Sequence, residues 1–367
     1  MKVLNFIIYI GRKEILMKNN KTNSNKNRYL IYLFVTLLFL SALGGCSSNI
    51  GNNTAEDSIL KVMYLDVGQG DSILIESGED AMLIDAGEVE EGDKVVSILA
   101  QEHINELKYI IGTHPHSDHI GGLEKVIKSC DTDEIFLSNV AYSSKTYDNL
   151  CKLIKKKGIQ NTLPAAGDTY TLGDASFTFV TPLDKDYGDN VNNYSLGIRL
   201  INGKNSFLFT GDLEEDAEKD LVASKREIEA DVLKVNHHGS STSSCLEFLR
   251  AVDPVYAIIS VGKGNTYGHP AAATLANLEE EDIQTYRTDV AGTIIITSDG
   301  KNLSFKTKGK QESEAADKNN QLVYITEKGS KYHRAGCKYL KGNYRSLSLK
   351  KAKEEGYEPC SICKPEP

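Results

Sequence analysis

The pattern of apolar runs predicts an α/β fold built in layers around a central core. Three observations carry this expectation. Short β-rich runs come in groups, with helical stretches between them. Several of these runs stop at a glycine-rich, acidic or histidine-rich turn, as strands do when they deliver loops to a sheet edge. Of the 367 residues, 40% are hydrophobic and 25% charged, a globular balance that excludes full disorder and leaves room for a sizeable core.

Taken in order, β-rich runs at 60–65 and 72–75 flank the loop Asp66-Val-Gly-Gln-Gly-Asp71, and a third at 81–84 ends at Asp85. A helical stretch follows near 92–102, then the strand Tyr109-Ile-Ile-Gly112 and a histidine-rich loop. Helices are expected near 121–129 and 145–157, and strands at 176–181, 196–201 and 206–210. The remainder reads as a helix at 214–223, strands at 231–235 and 255–261, a helix at 271–279, and strands at 293–297 and 302–306. Residues 308–320 are polar and charged and read as a linker. The segment 321–367 is too short for a core of its own without a staple.

The first 45 residues read as an address. Lys18, Lys21, Lys26 and Arg28 precede an apolar run from Tyr29 to Leu40, followed by small residues and Cys46. Leu43-Gly-Gly-Cys46 resembles the lipobox of bacterial lipoproteins. The resemblance implies cleavage before Cys46, lipid on its sulfur, and a body held at the extracytoplasmic face of the cell membrane. Residues 46–58, rich in Ser, Asn and Gly, read as a flexible tether. No second stretch is apolar enough to span a bilayer, which excludes a polytopic transporter.

Thr113-His-Pro-His116-Ser-Asp118-His119-Ile-Gly-Gly122 is the most informative segment. His114, His116, His119 and Asp118 lie within six residues, directly after an apolar strand. Neutral imidazoles with a carboxylate suit Zn²⁺ or Mn²⁺. The loop resembles that of the metallo-β-lactamase superfamily. That resemblance spans about 59–307 and implies an αββα sandwich holding two divalent metals at the sheet edge. It assigns Asp85, with Asp66 and Asp71 nearby, a structural place beside the metals. It makes Asp212, in Phe209-Thr-Gly-Asp212, the bridging ligand. A later ligand falls on His237 or His238, with His237 slightly favoured. Many members have a further histidine before the bridging aspartate. None lies between His119 and His237 here, so Asn192 or Asn193 is expected near that place. The expected division puts His114 and His116 on one metal and Asp118, His119 and His237 on the other.

The segments YLDVGQGDSILI, THPHSDHIGG, NNYSLGIRL, LKVNHHGSSTSS and SVGKGNTYGHP occur in one order. Together they resemble the soluble extracellular domain of the ComEC/Rec2 competence family, a DNA-uptake channel whose domain is inferred to degrade one strand. The resemblance implies a metal-dependent phosphodiesterase, in effect a nuclease with DNA as substrate, acting through a metal-bound hydroxide. In this reading Asp118 also orients the nucleophile and His269 protonates the leaving oxygen. Ser240 and Ser241 are candidate phosphate contacts. A β-lactamase, or a phosphoesterase acting on teichoic acid or phosphocholine, is the second hydrolase reading. A non-catalytic DNA- or wall-binding lipoprotein is the alternative from another class.

The tail contributes His333, Cys337, Cys360 and Cys363, spaced H-x3-C then C-x2-C. One imidazole and three thiolates make a closed tetrahedral zinc site, which would staple residues 321–367. This module resembles the metal-binding domain of the Ada alkylation-response protein. His333 stands where that family has its first cysteine, so methyl transfer is not implied. DNA or a wall polymer remains a possible partner for the module. Cys130, Cys151 and Cys245 read as packing residues. The whole chain carries a net charge of −9, with 321–367 at +5 and 46–320 at −20. Broad basic wrapping of nucleic acid is therefore excluded.

Overall fold

The computed structural model describes residues 59–309 and, beyond them, 322–326, 329–333, 337, 339 and 344–365. The signal segment, Cys46, the tether and nearly all of the linker lie outside the described residues. Among the described residues no helix is long and apolar enough to cross a membrane.

The first half of the domain contributes β1 (Leu60–Tyr64), β2 (Ile73–Ser77), β3 (Asp80–Ile84), α1 (Gly92–Gln101) and β4 (Glu106–Gly112). Then come α2 (Ser117–Ile120), α3 (Leu123–Ser129), β5 (Asp131–Leu137), α4 (Lys145–Lys157), β6 (Gln160–Thr162) and β7 (Thr169–Leu172). The second half has β8 (Ala175–Phe179), β9 (Ile198–Asn202), β10 (Asn205–Phe209), α5 (Glu215–Ala223), β11 (Val232–Lys234) and α6 (Leu246–Val252). It closes with β12 (Tyr256–Ile259), α7 (Ala272–Glu280), β13 (Gln284–Arg287), α8 (Thr288–Ala291), β14 (Ile294–Ser298) and β15 (Leu303–Thr307). The tail holds β16 (Leu322–Thr326), β17 (Lys331–His333), β18 (Tyr344–Ser348), α9 (Leu349–Glu354) and β19 (Glu358–Pro359).

Two sheets face each other. One has the order β15-β14-β1-β2-β3-β4-β5-β6 and the other β13-β12-β11-β10-β9-β8-β7. Between them lies an aromatic core that includes Tyr64, Phe136, Phe177, Phe179, Phe207 and Phe209. Burying each such side chain is worth about 1.5–3 kcal/mol, so this layer holds the sheets together. The outer face of the first sheet buries Val95, Leu99, Val126, Leu150 and Ile154 from α1, α3 and α4. Leu221, Phe248, Leu249 and Leu278 from α5, α6 and α7 cover the second sheet. The result is the expected αββα sandwich.

Local sequence explains the helices. In α4, Leu150 and Ile154 stand four residues apart and form the buried stripe. Ser144 caps its start by accepting from Tyr147 N at 3.1 Å. Its last turn carries Lys155, Lys156 and Lys157, which suit the negative end of the helix. Gly158, at φ 70°, ends it in the left-handed conformation.

Strand direction positions the site. β3, β4 and β5 run parallel, as do β10, β11 and β12. β1 is antiparallel to β2 and β2 to β3, so β1 runs with β3. The loops after β1, β3, β4, β10, β11 and β12 therefore leave from carboxyl ends. The tail forms a separate sheet, β18-β16-β17-β19, over a small core of Val323, Ile325, Tyr332, Leu349 and Ala352.

Candidate metal centre

Asp85 ends β3 at φ 56° and is fully buried. Its carboxylate accepts from Thr113 N at 2.8 Å, Thr113 Oγ1 at 2.7 Å and His119 Nδ1 at 2.8 Å. With Nδ1 turned to Asp85, His119 presents its Nε2 to the site. Burial raises the Asp85 pKa despite the opposing pull of His119. His119 lies in α2, a single turn packed tightly from behind. A Cβ on Gly70 would lie 2.2 Å from Asp118 O, and one on Gly122 would lie 2.2 Å from Ala86 O. Only glycine allows these backbones to approach so closely.

Asp212 follows β10 and is 2% exposed. Its backbone N donates to Ser195 Oγ at 3.2 Å. Its Oδ2 lies 3.1 Å from His119 Nε2 and 3.4 Å from His238 Nε2. Asp118 Oδ2 lies 3.2 Å from His238 Nε2. Asp118, His119, Asp212 and His238 thus offer four ligand atoms to one point. His119 Nε2, His238 Nε2 and Asp212 Oδ1 are buried with no hydrogen-bond partner. Leaving them so is costly, and a cation among them would remove that cost. The donor set and its convergence fit a divalent metal.

The electrostatics agree. Burial would lower the pKa values of His119 and His238, yet neighbouring carboxylates, Asp212 foremost, hold both well above the usual histidine range. Burial would raise Asp118 and Asp212, yet the histidines hold both below the usual carboxylate range. The cluster therefore attracts positive charge, as a proton or as a metal.

The sequence slightly favours His237 over His238 as the later ligand, and the geometry reverses that preference. His237 and His238 both adopt left-handed backbone, at φ 48° and 53°. That turn aims His238 inward, 1% exposed, with Nδ1 donating to Ser260 O at 3.0 Å and lying 3.3 Å from Asp71 Oδ1. His237 stays at the rim. Its Nε2 is 3.8 Å from Asp212 and its Nδ1 3.2 Å from Glu214 Oε1.

His114 and His116 form a neighbouring pair. His114 Nε2 lies 3.0 Å from His116 Nδ1 and 3.9 Å from Asp212 Oδ2. Burial lowers both pKa values, so both rings are neutral and suited to a metal. Asn192 is buried, and its Oδ1 has no hydrogen-bond partner. Asn192 Nδ2 donates to Glu214 Oε1 at 3.1 Å, and Asn193 Oδ1 accepts from Glu214 N at 2.8 Å. They hold Glu214 where it meets His237. Ser240 is 6% exposed and bonds to Thr242 within its own loop, while Ser241 is exposed. Asp66 accepts from Gly68 N at 3.2 Å and shapes the first loop. His269 stands beside the centre, with ring centroids 5.5 Å from His237 and 6.4 Å from His238.

Three supporting residues were not singled out from sequence. Lys234 is fully buried and pairs with Asp71 Oδ2 at 2.6 Å. Glu218 is fully buried and accepts from Asn236, Ser244 N and Cys245 N. Glu214 accepts from Asn190 and Asn192. A lysine inside the apolar run Val232-Leu-Lys-Val235 is the one signal available, because a buried cation demands a buried anion. In the tail, His333, Cys337, Cys360 and Cys363 come together with ligand atoms within 4.8 Å of one another. His333 Nδ1 is 3.3 Å from Cys337 Sγ. Burial would raise the Cys360 thiol, but backbone N–H groups of Cys363 and Ile362 pull it below its usual range.

A layered αββα body with a histidine, aspartate and histidine cluster at its sheet edge defines a metal-dependent hydrolase fold. The chain matches the metallo-beta-lactamase superfamily over residues 65–263 and belongs to it. Among curated proteins it is 30% identical over 310 residues to ComE operon protein 3 of Bacillus subtilis (strain 168), covering 80% of this chain and 39% of that protein. It is 29% identical over 235 residues to competence protein ComA of Neisseria gonorrhoeae, covering 64% and 31%. The chain therefore spans about two fifths or less of these relatives' lengths. Among solved structures it is similar to a CmlA beta-hydroxylase E377D mutant, at 13% identity and a TM-score of 0.44, covering 71% of this chain and 59% of that one.

Proposed function

We propose that this protein is a lipid-anchored, extracytoplasmic phosphodiesterase that cleaves DNA. The observation that carries the reading is the convergence of buried, unpartnered ligand atoms from His119, His238 and Asp212 beside the half-open carboxylate of Asp118. Asp118, His119, Asp212 and His238 would hold one ion. His114 and His116, with Asp212 between the two groups, would hold a second. Such ions, Zn²⁺ or Mn²⁺, would neutralise charge on a phosphoryl group and bring the pKa of bound water to about 7.

The protein's own groups then divide the work. Asp118 keeps its charge over the whole working pH range and orients the attacking water by accepting its hydrogen bond. Burial, then the neighbouring His237 and His238, hold His269 below the usual histidine pKa. It is therefore neutral at pH 7, and its ring N–H steadies the leaving oxygen, which takes its proton from water. His237 stands at the rim, with Nδ1 3.2 Å from Glu214 Oε1. In the tail, His333, Cys337, Cys360 and Cys363 would hold one structural Zn²⁺. Support for DNA as substrate comes from similarity to proteins named for competence, and from a third relative, recombination protein 2 of Haemophilus influenzae, at 28% identity.

The test is cleavage of single- and double-stranded DNA by the full chain in detergent, with Mn²⁺ and separately with Zn²⁺. Asp118→Ala should lower kcat at least a hundredfold while the tail keeps its zinc. A folded, metal-loaded protein that leaves DNA intact would overturn the reading and direct attention to wall phosphodiesters.

A further inference from the structure

We propose that the cleft beside His116 is a nucleobase subsite, in which one unpaired base stacks on Tyr142 while its phosphodiester reaches the metal centre; this rests on the DNA-cleaving reading. The cleft lies between the loop after β5 and the loop before β9 and has a volume of about 580 Å³. That falls within the range of sites for small organic ligands.

Its position links it to the chemistry. His116 lines it. The same ring stands 3.0 Å from His114 on one side and packs edge-on against Tyr142, at 5.5 Å and 78°, on the other. An occupant is therefore one side chain away from the site of bond cleavage. The walls are also fixed. Ser138 Oγ donates to Tyr194 O at 2.8 Å and ties the two loops together. Tyr194 Oη accepts from Tyr187 N at 2.7 Å and donates to Asp186 at 3.0 Å, which holds its ring.

The lining selects the ligand. Among the described residues no lysine or arginine lines the cleft, and Asp189 adds a carboxylate. A phosphate would be repelled there, so the neutral part of a nucleotide is the part that fits. Tyr142, Val140 and Val191 offer aromatic and apolar surface, and Asn139 and Asp189 offer polar edges. A base has the matching features, a π face and a rim of amide and amine groups. A polyol phosphate has repeated charge and no π face, and would make no use of Tyr142. A base already paired and stacked in a duplex cannot enter, so the cleft favours single strands.

The test compares wild-type full chain, Tyr142→Phe and Tyr142→Ala, all metal-loaded. One readout is KM for a short single-stranded oligodeoxynucleotide. The other is the Kd of deoxyadenosine monophosphate by isothermal titration, which needs no turnover. Tyr142→Phe should keep both values. Tyr142→Ala should weaken both by about tenfold or more, as expected for one stacked base. Equal affinity for deoxyadenosine monophosphate and the abasic deoxyribose 5-phosphate would overturn the proposal, as would tighter binding of glycerol 3-phosphate. Robust DNA cleavage with either result would leave the nuclease reading standing. Tyr142-dependent nucleotide binding without any DNA cleavage would support the cleft and sink the nuclease reading instead.

Discussion

Lys234 and Asp71 show how one buried pair can serve a metal site without touching the metal. Their charged atoms are 2.6 Å apart and neither is exposed. Lys234 also donates to Val235 O at 2.9 Å. Burial would raise the Asp71 pKa, but the Lys234 ammonium, with His238 and His119, holds its carboxylate below the usual range. Ionised, Asp71 faces His238 Nδ1 and helps Ser260 O keep Nε2 aimed inward. Removing one partner leaves an uncompensated buried charge, which costs about 3–5 kcal/mol. Lys234→Met should therefore lower unfolding free energy by that amount in urea titrations. It should also weaken metal binding about 10–100-fold, the usual cost of losing an outer partner. Lys234→Met with Asp71→Leu should recover much of the stability but not the metal affinity. Full metal affinity in both variants would show that the pair only fills space.

At the scale of elements, the turn Asn236-His-His-Gly239 is strained and is braced by α5. Glu218 receives three donors from that turn and the segment after it, yet burial still pushes its pKa up to about 6 from an ordinary 4.5. A raised folded value means stability is full below pH 4.5 and falls as pH climbs through 6. The difference of about 1.5 units corresponds to about 2 kcal/mol. Between pH 4.5 and 6.5 the wild type should lose about that much relative to Glu218→Gln, measured by urea unfolding. A constant difference across that window would mean Glu218 ionises as readily folded as unfolded. Elements also show what sequence can disclose. The strands that end in Asp85, Gly112, Phe209 and Lys234 were legible because they are apolar and end in chemistry-bearing turns. β5, Asp-Thr-Asp-Glu-Ile-Phe-Leu, was not, because its first half is acidic and only its second half is buried. β6 and β7 are short and largely exposed, and give no period to read. Within the site, the residue types and their order were legible. That His238 rather than His237 turns into the cluster was not, because two consecutive left-handed residues set it and no spacing rule encodes them.

The whole molecule joins an acidic metallo-beta-lactamase-fold domain to a basic tail, and their two ligand clusters are built by opposite logic. The hydrolase site mixes carboxylates with imidazoles, and Asp118 stays partly exposed, as an open site for substrate requires. The tail site has three sulfurs and one imidazole around a small core, with Cys337, Cys360 and His333 buried. A closed site of that kind contributes folding energy directly, because Val323, Ile325, Tyr332, Leu349 and Ala352 are too few to hold a sheet alone. Cys360→Ser should then remove one zinc per chain, counted by elemental analysis. It should open the segment after residue 309 to limited proteolysis, while the hydrolase domain resists. Hydrolysis of a dinucleotide should persist, because the cluster at Asp212 draws all its ligand atoms from residues 114–238. Cleavage of long DNA should weaken at low salt and become less salt-dependent, because the +5 tail no longer presents its cations in an ordered array and fewer counterions are released from the phosphates. Loss of zinc from both sites together, or loss of dinucleotide hydrolysis, would mean that the tail completes the hydrolase rather than serving beside it.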